Sequence, residues 1–219
     1  MLRWVPALPA LLVASAALSA LSALSAVSAV SATSPASLTS SPITAKDIDS
    51  RSWTLLAPGA HQLDLLLFVA TDCPISNRYA AEIGRICSDY RRRGVRCFIV
   101  YPDAAGPDND INNVNDVNNV AAVAKHHAEY GFSAAGPAII DRRHALVAAV
   151  GPRVTPEAAV YSSAGRVYRG RIDDMYIDVG RSSRQATRHD VRLALDAALA
   201  GRPVAQPETE AIGCFITNP

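Results

Sequence analysis

The chain has 219 residues, 21 Lys+Arg against 20 Asp+Glu for a formal net charge of +1, and 49% hydrophobic residues. No strong field of either sign points to nucleic acid or an anionic membrane. The length suits one domain with flanking segments. Collagen, coiled-coil and multi-span membrane classes are excluded, and apolar runs such as residues 63–70 demand burial.

Residues 1–45 carry a single charge, Arg3. A basic start, an apolar middle and A-x-A-like triplets up to Val30-Ser31-Ala32 describe a secretory signal peptide over residues 1–32. An uncleaved membrane anchor is the alternative, since the run is long enough to span a bilayer. The Ser, Thr and Pro that follow read as a linker over residues 33–50, leaving residues 51–202 as the folded domain and 203–219 as a C-terminal tail. An exported chain reaches compartments where disulfides persist.

Within the domain, residues 63–70 read as a strand buried on both faces. Cys73-Pro74 opens an amphipathic helix with its stripe at Tyr79, Ile83, Ile86 or Cys87, and Tyr90. Basic residues 91–93 and Gly94 close it. A second apolar strand spans 95–101, so the unit is a right-handed parallel β-α-β. A polar, Asn-dense stretch (103–119) precedes a helix over 120–130, a short strand at 138–141 and a short helix or strand at 145–150. Two runs, 158–161 and 167–172, flank a hairpin turn at 162–165. The last helix is capped by Thr187, striped by Val191, Leu195 and Leu199, and stopped by Gly201 and Pro203. This order predicts an α/β thioredoxin-like fold, a mixed central sheet flanked by helices.

Cys73 is placed for nucleophilic chemistry. Pro74 suits the first helical turn, so the sulfur sits where free amides and the helix dipole favour thiolate. The dipole supplies only about 0.3–1 kcal/mol at an exposed site, so amide hydrogen bonds must supply the rest. The expectation is a moderately activated, accessible thiol. Ser76 replaces the second sulfur of a C-x-x-C pair; it can donate to a thiolate but cannot resolve a mixed disulfide. Cys214, on a tail long enough to fold back, is one resolving thiol; a small external thiol is the other. A tail cysteine without a partner inside the chain is the bland alternative. Cys87 on the helix stripe and Cys97 on a strand face read as small packed hydrophobes. They can form a structural disulfide only if their Cα atoms come within about 7 Å.

The histidines show no ligand spacing. His126 and His127 are adjacent on a helix and point apart, so solvated side chains are expected, and no metal or cofactor is assigned. Residues 108–119 begin like a calcium loop, but Asn113 stands where Gly is needed and Asn119 where a bidentate Glu is needed.

The Cys73-Pro74-Ile75-Ser76 tetrad, Thr155-Pro156-Glu157 before a hairpin, Gly170-Arg171-Ile172-Asp173-Asp174, and Gly213-Cys214-Phe215-Ile216 together resemble bacterial exported redoxins. These belong to the alkyl-hydroperoxide-reductase/thiol-specific-antioxidant group of the thioredoxin superfamily. The resemblance spans about residues 50–216. It implies a cis proline at Pro156 facing Cys73, with Thr155 offering backbone hydrogen bonds to a peptide or thiol substrate. Exported copper chaperones of the same fold use a C-x-x-x-C pair, and Asn77 occupies the second position here. The expected function is an exported thiol oxidoreductase acting by disulfide exchange or peroxide reduction, with Cys73 and Pro156 central, Ser76 and Arg78 supporting, and substrate thiols, disulfides or hydroperoxides as partners. A redox-inactive binding module on the same fold stays open as the alternative. Glu157 is read as a solvated strand-start residue.

Overall fold

A computed structural model describes residues 41–60, 62–102 and 117–216. The signal-peptide expectation and the calcium-like stretch fall outside these residues, apart from the latter's end. β1 (Ile43–Lys46) and β2 (Ser52–Leu55) form an antiparallel hairpin. Residues 43–46 are therefore strand, and the linker expected over 33–50 is corrected at that point. The Asp47 carboxylate organises this turn, accepting from the amides of Asp49 and Arg51 and from the Trp53 indole. Trp53 in turn packs edge-on against Phe98, its ring centroid 5.5 Å away. That turn signal is local and polar, and periodicity alone passes over it.

β3 (Leu63–Phe68), α1 (Pro74–Arg91) and β4 (Val95–Tyr101) form the expected parallel crossover, with Leu63 level with Val95 and Phe68 level with Val100. The next elements are α2 (Val117–Glu129), β5 (Ala138–Ile140) and the short helix α3 (Ala145–Val150). β6 (Val154–Thr155), β7 (Glu157–Ser162) and β8 (Gly165–Gly170) come after them. The main sheet runs β5-β4-β3-β7-β8, parallel through its first three strands and antiparallel from β3 to β8. This mixed sheet, with helices on both faces, is a thioredoxin-like fold.

β3 is central because its alternating leucines serve both faces. Leu65 and Leu67 join the core with Tyr79, Ile83 and Ile86 of α1. Leu66 and Phe68 join the opposite core with Leu146 and Val150 of α3 and Tyr161 of β7. The one polar residue of β3, Asp64, is fully buried and takes a two-pronged contact from Arg96, at 2.7 and 2.9 Å. Burial is the largest influence on its carboxyl and pushes it up against the pull of that guanidinium.

A small hairpin of β9 (Tyr176–Asp178) and β10 (Arg181–Ser182) precedes α4 (Asp190–Leu199). Val191 and Leu195 of α4 are buried on the α1 side. Thr187 is not the cap of α4. His189 occupies that position, while the Thr187 amide donates to Asp174 Oδ1 at 2.7 Å and its hydroxyl to Asp174 Oδ2 at 2.5 Å. A carboxylate gathered from a loop thirteen residues upstream outcompetes the local capping pattern. The tail then returns across β8: Arg169 N donates to Pro207 O, Thr209 N to Arg169 O, and Arg171 N to Thr209 Oγ1. It ends in β11 (Cys214–Phe215), paired antiparallel with β6.

Candidate active site

α1 begins where β3 ends, and Cys73 is its N-cap, with φ −85° and ψ 109° and Pro74 directly after it. An extended cap residue followed by proline is the geometry the tetrad demands, because proline cannot donate and its φ is already helical. The Ser76 amide donates to Cys73 Sγ at 3.5 Å. Ser76 is itself fully buried, and its hydroxyl accepts from the Ala70 amide at 3.4 Å, tying the end of β3 to the first turn of α1.

From the other side comes the Thr155–Pro156 peptide, which is cis. It presents the Thr155 carbonyl to Cys73, and the thiol donates to it at 3.0 Å. Glu157 keeps this corner in place. It is buried rather than solvated, and its Oε2 accepts from the amides of Arg153 at 2.8 Å and Val154 at 3.4 Å, with Arg169 3.6 Å from its other oxygen. Burial is the largest influence on its carboxyl and raises it, against the pull of those donors. Its position next to Pro156 was legible in the sequence; the amides it caps were not.

The tail completes the site. Cys214 lies opposite Thr155 in the β6–β11 register, the residue whose carbonyl accepts from the Cys73 thiol, and it packs against the same buried cluster as Cys73. Cys73 and Cys214 are the two free cysteines among the described residues. Their sulfurs are electrically unequal. Burial pushes the Cys73 thiol up, but donation from Cys214, from the Ser76 hydroxyl and amide and from Thr155 outweighs it, and the net direction is down. Burial, the Cys73 thiolate and Asp72 together push Cys214 up to about 12. The two shifts run in opposite senses, so Cys73 is the readier of the two thiols to ionise.

Cys73 is only 1% exposed. This differs from the accessible thiol expected, and the physical reason is the tail, since Cys214 packs against the same core cluster as Cys73. The predicted cluster of Cys73, Ser76, Thr155, Pro156 and Cys214 is thus brought together. Arg78 is not part of it. That residue lines a groove of about 410 Å³ with Tyr79, Asp173, Arg184 and His189.

Cys87 and Cys97 are joined as a disulfide, with Cα atoms 5.9 Å apart, so the reading of both as simple packed hydrophobes is corrected. The segment leading into β5 also runs close to this strand: at Gly136 a Cβ would overlap the Cys97 carbonyl. His126 and His127 are buried rather than solvated. Tyr101 Oη lies 3.2 Å from His126 Nδ1, and His126 Nε2 lies 2.8 Å from Asn77 Oδ1. Burial lowers both imidazoles, and for His127 the adjacent His126 adds to it. Asn77, where a copper-binding relative would carry cysteine, thus serves as a hydrogen-bond partner. Among the described residues no group of three His, Cys, Asp or Glu side chains is placed to hold a metal ion.

Sequence reasoning missed the Tyr79–Asp173 contact, a 2.5 Å hydrogen bond between buried side chains that ties α1 to the loop after β8. The helical stripe marks Tyr79 as buried, but nothing local says that its hydroxyl needs a partner ninety-four residues away.

The chain thus has a thioredoxin-like fold in which two free thiols distant in sequence, Cys73 and Cys214, meet at Thr155. No family model and no curated protein matches the chain. Among solved structures it is similar to an uncharacterized conserved protein from Geobacillus kaustophilus, with TM-score 0.68, 24% identity, and coverage of 84% of this chain and 93% of that one. A hypothetical protein from Sinorhizobium meliloti 1021 is also similar, with TM-score 0.62, 23% identity and coverage of 81% and 91%. The dsbF protein of MTB, solved in mixed oxidized and reduced forms, matches with TM-score 0.49, 18% identity and coverage of 75% and 98%.

Proposed function

We propose that this chain is an exported thiol oxidoreductase in which Cys73 is the nucleophile and Cys214 the resolving thiol. The observation that carries the reading is the convergence of both free cysteines on Thr155 of the cis Thr155–Pro156 peptide: the Cys73 thiol donates to its carbonyl, and Cys214 stands opposite it in the β6–β11 register. A second helical sulfur at position 76 would do the same work in a C-x-x-C enzyme; here the tail supplies it. In the exchange reaction Cys73 thiolate attacks one sulfur of a substrate disulfide, forming a mixed disulfide and expelling a substrate thiolate, which takes a proton. Cys214 then loses its proton to solvent and attacks Cys73 Sγ. The mixed disulfide breaks, the second substrate thiol leaves, and the enzyme holds a Cys73–Cys214 disulfide. An external dithiol returns the pair to the reduced state.

Peroxide reduction is the second reading, favoured by the near-complete burial of Cys73, which a small oxidant tolerates better than a protein does. There Cys73 thiolate attacks the terminal peroxide oxygen, the O–O bond breaks and the remaining oxygen leaves as water or an alcohol after taking a proton; Cys214 then condenses with the Cys73 sulfenic acid, forming the Cys73–Cys214 disulfide and releasing water. In either case residues 1–32 direct export as a signal peptide and are removed from the mature chain, with 33–50 leading into the domain at 51–202 and the tail at 203–219 carrying Cys214. No helix among the described residues is long and apolar enough to cross a membrane.

The test is turnover by the reduced mature protein of hydrogen peroxide and, separately, of a protein disulfide. Either activity must disappear in Cys73→Ser, and mass spectrometry of the oxidised product must find Cys73 bonded to Cys214. A Cys73 that resists alkylation even after denaturant-free removal of the tail, with no turnover of either substrate, leaves the binding-module reading.

A further inference from the structure

The tail is held unevenly. Its root is clamped on β8: Thr209 Oγ1 lies 2.6 Å from Tyr168 Oη, and Glu208 pairs with Arg166 at 2.7 Å. Gly170, at φ +146°, allows that clamp, because a Cβ there would overlap Thr209. The tip is held far less. β11 is two residues long, Ile216 N donates to Arg153 O at 3.0 Å, and Phe215 is 82% exposed. Between root and tip, Glu210 to Ile212 are exposed or half-buried and are paired with no strand.

The tip nevertheless fits its seat closely. At Gly213 a Cβ would overlap the Thr155 carbonyl and stand 3.2 Å from Pro156 N. The strand approaches the cis peptide so nearly that only glycine is tolerated immediately before the cysteine. What lies on β6 is therefore an extended segment with a definite local sequence: glycine, then a cysteine opposite Thr155 and packed on the cluster that holds Cys73, then a large side chain turned to solvent.

We propose that residues 213–216 are a displaceable internal ligand, and that the β6 edge they occupy is a binding site for an extended polypeptide whose cysteine directly follows a glycine. The main-chain hydrogen bonds of the edge hold any such strand, and the missing side chain before the cysteine selects it. The tail competes for the site at high effective concentration because its root stays clamped when its tip leaves. Cys73 is covered while the tip is seated, and a partner strand that replaces the tip covers it in turn while bringing its own cysteine to that sulfur. The inference rests on the same site as the redox reading and names the partner class for it.

The test uses the full mature chain and two variants, Gly213→Val and a chain ended after Glu210. Gly213→Val changes no member of the buried clusters, the truncation removes only Cys214 and Ile216 from their partly buried margins, and both variants keep the clamp on β8. Iodoacetamide labelling of Cys73, read by mass spectrometry, should quicken by about tenfold or more in both variants. A fluorescent peptide with the sequence of residues 210–216, carrying Cys214→Ser, should bind both variants, bind the wild type far less, and restore slow labelling. The same peptide with Gly213→Val should not bind. Equal labelling rates in folded wild type and variants, absence of peptide binding to the variants, or equal binding of the two peptides would each overturn the proposal. The probe carries no thiol, so loss of redox turnover leaves these results unchanged, and their failure leaves turnover unchanged.

Discussion

Cutting the Cys87–Cys97 bond should cost the domain a calculable amount of stability. The bond links the middle of α1 to β4 across a sequence separation of 10. For so short a loop the chain-entropy model gives about 3 kcal/mol at 25 °C. In a domain of this size each kcal/mol moves Tm by about 2–4 °C, so the expected loss is about 6–12 °C. The measurement is a thermal melt of the Cys73→Ala/Cys214→Ala background, oxidised and then reduced, so that only the α1–β4 bond responds. Comparing the reduced background with one also carrying Cys87→Ala and Cys97→Ala then isolates the packing loss from the loss of the cross-link. Both sulfurs lie in the buried cluster on the α1 face, so that second step should be destabilising as well. A reduced form that melts with the oxidised one would refute the reasoning, since a cross-link that restrains the unfolded chain cannot be removed without effect.

Replacing Cys214 by alanine removes a donor that holds the Cys73 thiolate, so the pH midpoint of Cys73 alkylation should rise; Cys214→Ser, which keeps a donor, should rise less. An unchanged midpoint in both would show that Ser76 and Thr155 suffice. Glu157→Ala leaves the Arg153 and Val154 amides without their acceptor at the corner before Pro156, and should cost about 1–3 kcal/mol by denaturant melts while slowing turnover. The Asp174 carboxyl is held down at about 2, chiefly by the Thr187 hydroxyl and with help from the Arg188 and Thr187 amides. Its folded value lies below its unfolded one, so its contribution is fully present above about pH 3.9. It should be lost as pH falls from there toward 2, and acid titration of Asp174→Asn should show that loss reduced.

The β-α-β unit was readable because its signals are local: a continuous apolar run, a stripe repeating every three or four residues, and glycine after a basic turn. Tyr79, Ile83, Ile86 and Tyr90 are all buried, as their spacing requires. The cysteine before proline at the strand–helix junction was equally plain. Departures arise where a distant partner decides. The β1–β2 hairpin begins inside a segment whose composition reads as linker, because Asp47 and the Trp53–Phe98 contact organise it. Thr187 has the chemistry of a cap, but Asp174 takes both of its donors. Glu157 and the two histidines are polar residues that composition assigns to the surface, and each is buried because a specific partner receives it. Polar burial is a pairwise property, and a single sequence records only one member of each pair at a time.

The state of Cys73 follows from the same pairing logic. A sulfur removed from water is driven toward the neutral thiol, and the helix start alone does not offset that. In the thiol form its proton goes to the Thr155 carbonyl at 3.0 Å; on ionisation that contact no longer helps, and the Ser76 amide and hydroxyl, Thr155 and Cys214 remain as donors. Of these, Cys214 alone is itself a sulfur and arrives on a segment with a two-residue strand to hold it. On the proposed reading, the group that lowers the Cys73 thiol is therefore also the one that attacks it once a mixed disulfide has formed. In the proposed reaction activation and resolution are thus coupled through one residue, Cys214: a tail that leaves to admit a partner gives up part of what favours ionisation of Cys73, and its return restores both that influence and the resolving thiol. Cys73 labelling in the chain ended after Glu210 should accordingly become faster at high pH, where access limits the rate, and gain least at low pH, where ionisation does. A gain independent of pH would show that the tail covers the sulfur without tuning it.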